Sequence, residues 1–561
     1  MSQHMAAGEV VVRSLIAEGV KHVFGIVGST FLPVLDSMYD RDEIQYISVR
    51  HEQAAGFMAD GFARATGTPA VCLVTGGPGA MNLLSGLCST RAAQSPVIAL
   101  AGVSSSANTD RKAFQEFDLI SIFRPMVKEA LQLTSPILIS EMMRYVFRTA
   151  LTGNKGAVFL EMPRDYLEAS VEYEPFHSSV SEKIPCVLYP NPQDITRATS
   201  LIEEAERPLI IAGGGVTAAN ASEDVVNLAE MLNIPIVTAY GRNDAVPNNS
   251  KHYVGPLGRA GSPEAGQLCS ESDLILAIGT RLWHFTTFYD DRYLKKNVKI
   301  IQVNTDSSEI GRHYPVELGI TSDAKMTVQA LLTSLTNQSV TKNEATWALR
   351  TKELRQQRMN RLEKEASPGT SSLLPQQVYA ELRKSLPPQT IVTLDAGACP
   401  AFAYDRLHFN AGRTFFSPLD AGVLGFAFPE AIGAKLGRPE APVLAIHGDG
   451  GFLFNSQELE TAVREKIPVV TLVMNNGSWG SEKAYQRKDY GDRFVGIDLV
   501  NPRFDEYAKL FGANGYFIDK AADIPECLSL AFKSELPTVI EIKVDPDEFP
   551  APVNIFKEKV K

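Results

Sequence analysis

Short, uninterrupted apolar runs alternate along this chain with longer stretches in which apolar residues recur at helical spacing. Residues 71–75, 97–101, 208–212, 442–446 and 468–474 are runs of the first kind, rich in Val, Ile and Leu. A run of that length without polar interruption fits a strand buried on both faces, and alternation with helices winds such strands into parallel sheets covered on both sides. The pattern predicts an α/β fold of three doubly wound parallel-sheet domains, over residues 1–175, 195–335 and 372–546. The opening residues read as passing directly into an amphipathic helix. A proline-bearing linker runs from Tyr173 to about Asp194. Residues 341–366 are charged and helix-prone and read as a connecting helix, with Glu353, Arg358, Arg361 and Glu365 on its solvent side. Ser367, Pro368 and Gly369 end it. The tail from Phe549 to Lys561, with its Pro and Lys, reads as a flexible lid or a disordered end.

Composition narrows the partners. The 561 residues suit about three domains, and 44% hydrophobic with 21% charged residues is ordinary for a globular chain. A net charge of −11, with no basic run interleaved with aromatics, argues against nucleic acid as the main partner. No apolar stretch approaches the roughly 20 residues of a membrane span, and the first residues lack a signal-peptide pattern. The six cysteines are dispersed, with no Cys-x-x-Cys pair, as expected of free thiols in a reducing cytoplasm.

Two strand ends carry the chemistry. The run ending at Ile446 leads into Gly448, Asp449, Gly450 and Gly451, and the run ending at Met474 leads into Asn475 and Asn476. Ligands bind open α/β sheets at the carboxyl ends of strands, so an Asp and an Asn are presented together. A hard divalent cation takes such oxygen ligands and shares them with phosphates, while Gly448 and Gly450 let the backbone approach a diphosphate. Near the other end, residues 47–52 read as a strand ending on a carboxyl group, Glu52, followed by an amphipathic helix over 53–64. A carboxyl group at such a strand end is placed to take part in proton transfer to a bound ligand. Gly213, Gly214 and Gly215 close the strand 208–212. They permit a nucleotide-binding turn or a close strand–helix packing turn, without the spacing of the dinucleotide fingerprint.

In this order the motifs resemble the metal-diphosphate and pyrimidine signatures of thiamine diphosphate (ThDP) enzymes, and nearly the whole chain resembles their acetohydroxyacid synthase-like superfamily. The resemblance implies a pyrimidine-binding domain at 1–175, a central domain at 195–335 and a diphosphate- and Mg2+-binding domain at 372–546. It implies that ThDP lies between the first domain of one subunit and the third of its partner, in a homodimer or homotetramer. Glu52 would provoke ylid formation, and Asp449, the Asn476 side chain and the Ser478 carbonyl would hold Mg2+. Gly76 to Asn82, with Pro78, resembles the family's turn against the cofactor. By the same likeness the Gly422 carbonyl accepts from the 4′-amino group, and Leu424 is the apolar wedge that bends ThDP. Phe114 and Gln115 would face the reacting carbon, and Ser29 and Thr30 would reach the substrate. FAD or ADP in the central domain is a further option.

The implied activity makes or breaks a C–C or C–S bond next to a carbonyl through an acyl-anion or acetyl-ThDP intermediate. Against the acetolactate pattern, Phe285 stands where those enzymes carry a carboxylate-gripping Arg, although Arg281 is kept, and Tyr485 stands where they carry a Trp. The segments 255–262, 279–282 and 479–495 look more like sulfoacetaldehyde acetyltransferase, which passes an acetyl group to phosphate and releases sulfite. Lys483, Arg487 and Arg493 are candidate partners for its anions. Residues 451–455 are nearer the acetolactate type, so a pyruvate carboligase is the alternative. A turnover-free binding protein and a flavin oxidoreductase are the remaining rivals.

Overall fold

The structure, a computed structural model, describes residues 3–173, 187–338, 345–367 and 372–550. Three six-stranded sheets, all parallel, account for the predicted runs. The first places Gln45–Ser48, His22–Gly25, Ala70–Thr75, Val97–Val103, Val158–Pro163 and Glu129–Gln132 side by side. The third places Phe415–Phe416, Ile391–Leu394, Val443–Gly448, Val470–Asn475, Thr538–Lys543 and Asn514–Ile518 in the corresponding order. Numbered along the chain, both read 2-1-3-4-6-5, so each reverses direction between its first and third strands. That reversal opens a crevice at the carboxyl ends of those strands, which is where ligands of such sheets bind. The central sheet runs Tyr253–Pro256, Ile236–Thr238, Pro208–Ala212, Leu274–Ile278, Lys299–Asn304 and Leu318–Thr321. Its order, 3-2-1-4-5-6, is that of dinucleotide-binding folds.

The first and third domains meet along two helices, Glu52–Thr66 and Ala427–Gly437. The first of these is not amphipathic as expected: Ala54 through Gly61, Ala63, Arg64 and Ala65 are all buried, because it is sandwiched between Ala427–Gly437 and the helix Pro78–Ala93. Small residues let the backbones touch. A Cβ on Gly433 would lie 1.8 Å from the Met58 carbonyl oxygen, and one on Gly61 2.1 Å from that of Glu430. Gly433→Ala is therefore expected to cost about 3 kcal/mol, seen as a lower denaturant midpoint for the first and third domains. Arg64 crosses this seam, bonding Asp60 at 2.8 and 3.0 Å and the Ser417 carbonyl at 2.8 Å. Glu430 lies beside it, 3.5 Å from Arg64 Nε, and burial pushes its carboxyl well above the usual range.

Other expectations are corrected. Residues Gln3–Ala6 form a short strand, antiparallel to Ser170–Tyr173, before the helix Ala7–Ala17 begins. The connecting helix, Ala345–Glu365, is not simply solvated on its charged side. Arg358 is buried, with Nε 2.8 Å from Asp405, and Arg361 bonds Glu264 and Asp405 at 2.8 and 2.7 Å. Against the cost of burial, Arg358, Arg361 and Arg406 hold the Asp405 carboxyl below its ordinary value. Most of the linker expected after Tyr173 (174–186), the start of the connecting region (341–344), the stop at Pro368 and Gly369, and the tail from 551 lie outside the described residues. Among the described residues no helix is long and apolar enough to cross a membrane. Cys72, Cys269, Cys399 and Cys527 are buried free thiols, and Cys88 is a half-buried one.

Candidate active site

Glu52 is not the last residue of a strand. The strand ends at Ser48, and Glu52 opens the helix Glu52–Thr66, capped by His51, whose Nδ1 accepts from the Gln53 amide at 3.2 Å. A carboxylate in a first turn is favoured by the helix dipole. Its Oε2 accepts from Asn82 Nδ2 at 3.0 Å. Gly79 makes this approach feasible, since a Cβ there would stand 3.1 Å from Glu52 Oε1. The loops of the first sheet converge on this spot. Thr30 Oγ1 lies 3.3 Å from Thr75 Oγ1, with Ser29 exposed beside it. Gln115, at φ +62°, packs its backbone against Gly77, next to exposed Pro78. Glu116 braces that loop through the Asp110 and Ala113 amides at 2.6 and 2.8 Å. Phe114, 87% exposed, stands at the edge with Met81 and Phe117.

The second group gathers on the third sheet. Asp449 begins a short helix directly after the strand Val443–Gly448. Its Oδ2 accepts from Asn501 Nδ2 at 2.7 Å, and the same amide reaches Asn475 Oδ1 at 3.2 Å. Burial raises the Asp449 carboxyl above its usual range, offset by Asn501 and by backbone amides. Asn476 Oδ1 accepts from the Ser478 amide at 3.2 Å, while Asn476 Nδ2 and Ser478 Oγ are buried without partners. Gly450 tolerates no side chain, because a Cβ would lie 2.6 Å from the Trp479 ring. Gly422 is left-handed at φ +59° with open space around it, and half-buried Leu424 follows. Gly448 and Gly451 flank Asp449, and Gly451 closes on Asp395.

This donor set fits a hard cation bound to a phosphate ligand. Among the described residues no cluster of three or more His, Cys, Asp or Glu could hold a metal alone. Asp449, the Asn476 side chain and the Ser478 carbonyl would offer such a cation three oxygen atoms, the chemistry that a phosphate-bound ion takes. No hydrogen bond among the described residues links the Glu52 group to Asp449, Asn476 or Gly422. The chain presents two separate sets, each edged by exposed apolar side chains: Phe114 and Met81 on one, Leu453 and Phe454 on the other.

Three supporting residues carried no signal in the sequence motifs. Asp395, which ends the first strand of the third sheet, accepts from the Gly425, Phe426 and Ala396 amides and lies 2.6 Å from His447 Nδ1. It ties the loop of Leu424 to the strand that delivers Asp449. Glu458 accepts from the Arg50 and His51 amides at 3.0 and 3.1 Å, fastening the approach to Glu52 onto the third domain. Asn501 belongs to a segment that pairs with 477–479 through Ile497 and Leu499. Asking what terminates each strand at a direction reversal would have found Asp395; long-range contacts alone reveal Glu458 and Asn501.

The central domain bounds a cavity of about 450 Å3, lined by Gly214, Gly215, Arg242, Arg281, Asn304 and Asp323 among others. The triple glycine serves packing as well, since a Cβ on Gly215 would meet Gly279 at 2.6 Å. Arg281 stacks on Trp283 and donates to the Ala92 carbonyl at 2.8 Å. Burial pushes the Arg281 guanidinium down to about 9 and that of Arg242 to about 10. Lys483 and Arg487 are already engaged by Asp547, at 2.8 and 2.9 Å, and Arg493 donates to the Tyr490 carbonyl.

Comparison with known proteins places the chain in a family. Models of the thiamine pyrophosphate enzymes match in three parts: the N-terminal TPP binding domain over 5–122, the central domain over 195–331 and the C-terminal TPP binding domain over 395–542. The chain belongs to the thiamine pyrophosphate enzyme family. Within it, a probable acetolactate synthase large subunit from Methanocaldococcus jannaschii is 35% identical, over 97% of this chain and 93% of that protein. A sulfoacetaldehyde acetyltransferase from Alcaligenes xylosoxydans xylosoxydans is 32% identical, over 95% and 91%. The acetolactate synthase large subunit of Haemophilus influenzae is 33% identical, over 98% and 96%. The protein is thus a ThDP-dependent enzyme of the acetolactate synthase and sulfoacetaldehyde acetyltransferase group.

Proposed function

We propose that this enzyme, with Mg2+ and ThDP, transfers an acetyl group from sulfoacetaldehyde to phosphate, yielding acetyl phosphate and sulfite. The observation that carries the acyl-anion chemistry is Glu52, held by Asn82 at 3.0 Å on the open edge of the first sheet. When bound, ThDP supplies the carbanion and the electron sink. The protein's part is positioning and proton handling. Glu52 would hold and exchange a proton at its carboxyl group, and Gly422 and Leu424 would orient the coenzyme. Asp449, Asn476 and Ser478 would hold Mg2+, and Phe114, Gln115, Ser29 and Thr30 would border the reacting carbonyl. The exposed apolar rims of the two sets support a homodimer or homotetramer in which one subunit's Glu52 group faces its partner's Asp449 group.

Phe285 and Tyr485 support the sulfoacetaldehyde reading, as do relatives bearing that name. A second reading, condensation of pyruvate to acetolactate with loss of CO2, is supported by the acetolactate synthase relatives and by residues 451–455. Incubation of purified protein with each donor separates them. Acetyl phosphate plus sulfite is the expected product pair; acetolactate plus CO2 reverses the order, and neither pair rejects both. The cationic cavity of the central domain suits an anionic nucleotide, FAD or ADP, and the absorbance of the same preparation tells flavin from ADP.

A further inference from the structure

We infer that Arg259 receives the anionic group of the carbonyl substrate, in a subsite shared by the central and third domains. The inference rests on the acyl-anion reading above and defines its substrate class: a small carbonyl compound with a carboxylate on the reacting carbon or a sulfonate one carbon away. Arg259 follows Gly258, whose φ of +90° and approach to Phe285 exclude a side chain, since a Cβ would lie 1.8 Å from the Phe285 carbonyl oxygen. The Arg259 amide donates to that oxygen at 2.9 Å, and its guanidinium carbon sits 5.3 Å from the centre of the Phe285 ring. Phe285 in turn donates its amide to Asp420, two residues before Gly422, at 3.4 Å. On the other side Arg259 borders Ala398, Ser481 and Tyr485. That wall adjoins the metal loop: a Cβ on Gly480 would lie 2.9 Å from Asn476 Nδ2 and 3.1 Å from Ala398 Cβ. The guanidinium therefore stands between the loop of Gly422 and Leu424 and the helix that follows Asn476.

Its charge is unmatched there. Among the described residues no carboxylate lies within ion-pair distance of Arg259, which is half-buried. A partly desolvated cation without a counter-charge is costly, and the face of Phe285 offsets only part of that cost. Neighbouring cations are engaged: Lys483 and Arg487 on Asp547, and Arg281 on Trp283 and the Ala92 carbonyl. Phe285 brings no charge of its own. An anion arriving with the substrate would complete Arg259, and a planar fork of donors suits sulfonate or carboxylate oxygens.

The test uses holoenzyme reconstituted with ThDP and Mg2+. Calorimetric titration compares methyl acetylphosphonate, an anionic acyl analogue, with its neutral dimethyl ester. Wild-type protein is expected to bind the anion about 10–100-fold tighter. Arg259→Gln should bring the ratio to within about 3-fold while leaving the neutral ester and ThDP affinities in place, and Arg259→Lys should keep an intermediate preference. An undiminished preference in Arg259→Gln, or equal weakening of both analogues, overturns the assignment and leaves the acyl-anion reading standing. Failure of the wild type to bind either analogue overturns both.

Discussion

Glu52→Gln is expected to lower kcat by about 10²–10⁴-fold while ThDP affinity stays within a few-fold of wild type. The amide keeps the size of the side chain and can still meet Asn82, which sits 3.0 Å from Oε2. It also keeps its place in the first turn of Glu52–Thr66. What it loses is the capacity to exchange a proton. Coenzyme uptake followed by calorimetry, beside single-turnover kinetics, separates the two properties. Full activity in this variant would remove Glu52 from the proposed role.

Asp449→Asn is expected to act in the opposite sense, weakening ThDP and Mg2+ uptake about 100-fold or more. The proposed metal set contains one carboxylate, and no His, Cys, Asp or Glu cluster among the described residues replaces it. Burial already disfavours the Asp449 charge in the free protein. The neutral amide relieves that penalty, so the unliganded variant should be at least as stable to denaturant as wild type. Lost binding with retained stability is the signature of a ligand, whereas joint loss would mark a packing role. The two variants together test the shared site. Random mixed dimers of Glu52→Gln and Asp449→Asn chains contain one intact site in every heterodimer, which restores about a quarter of wild-type activity. If both sets came from the same chain, mixing would restore none.

The strands named by the pattern were legible because they are buried on both faces and lie in continuous apolar runs; Pro208–Ala212 falls where the pattern put it, and Val470–Asn475 within two residues of it. The end of the strand before the pyrimidine-side helix was placed too late, at Glu52 instead of Ser48, since Val49 and Arg50 continue the apolar-polar texture of the strand after its pairing has ended. The connecting helix misled in a different way. Arg358 reads as a surface residue until Asp405, far along the chain, is placed against it. For the proposed site, local signatures singled out Glu52, Asp449 and Asn476, because a turn or a strand end advertises itself by its glycines and amides. Asn501, Asp395 and Glu458 act through partners dozens to hundreds of residues away, and no local composition marks them.

Glu458 has a mechanical corollary. Its carboxylate grips the Arg50 and His51 amides from the helix just beyond Asp449, so the loop that leads into Glu52 and the strand end that carries Asp449 ride on a common strut. In the proposed assembly the two serve different coenzymes. A disturbance at one pocket therefore has a path to its neighbour through this carboxylate, beside the helix seam of Glu52–Thr66 and Ala427–Gly437.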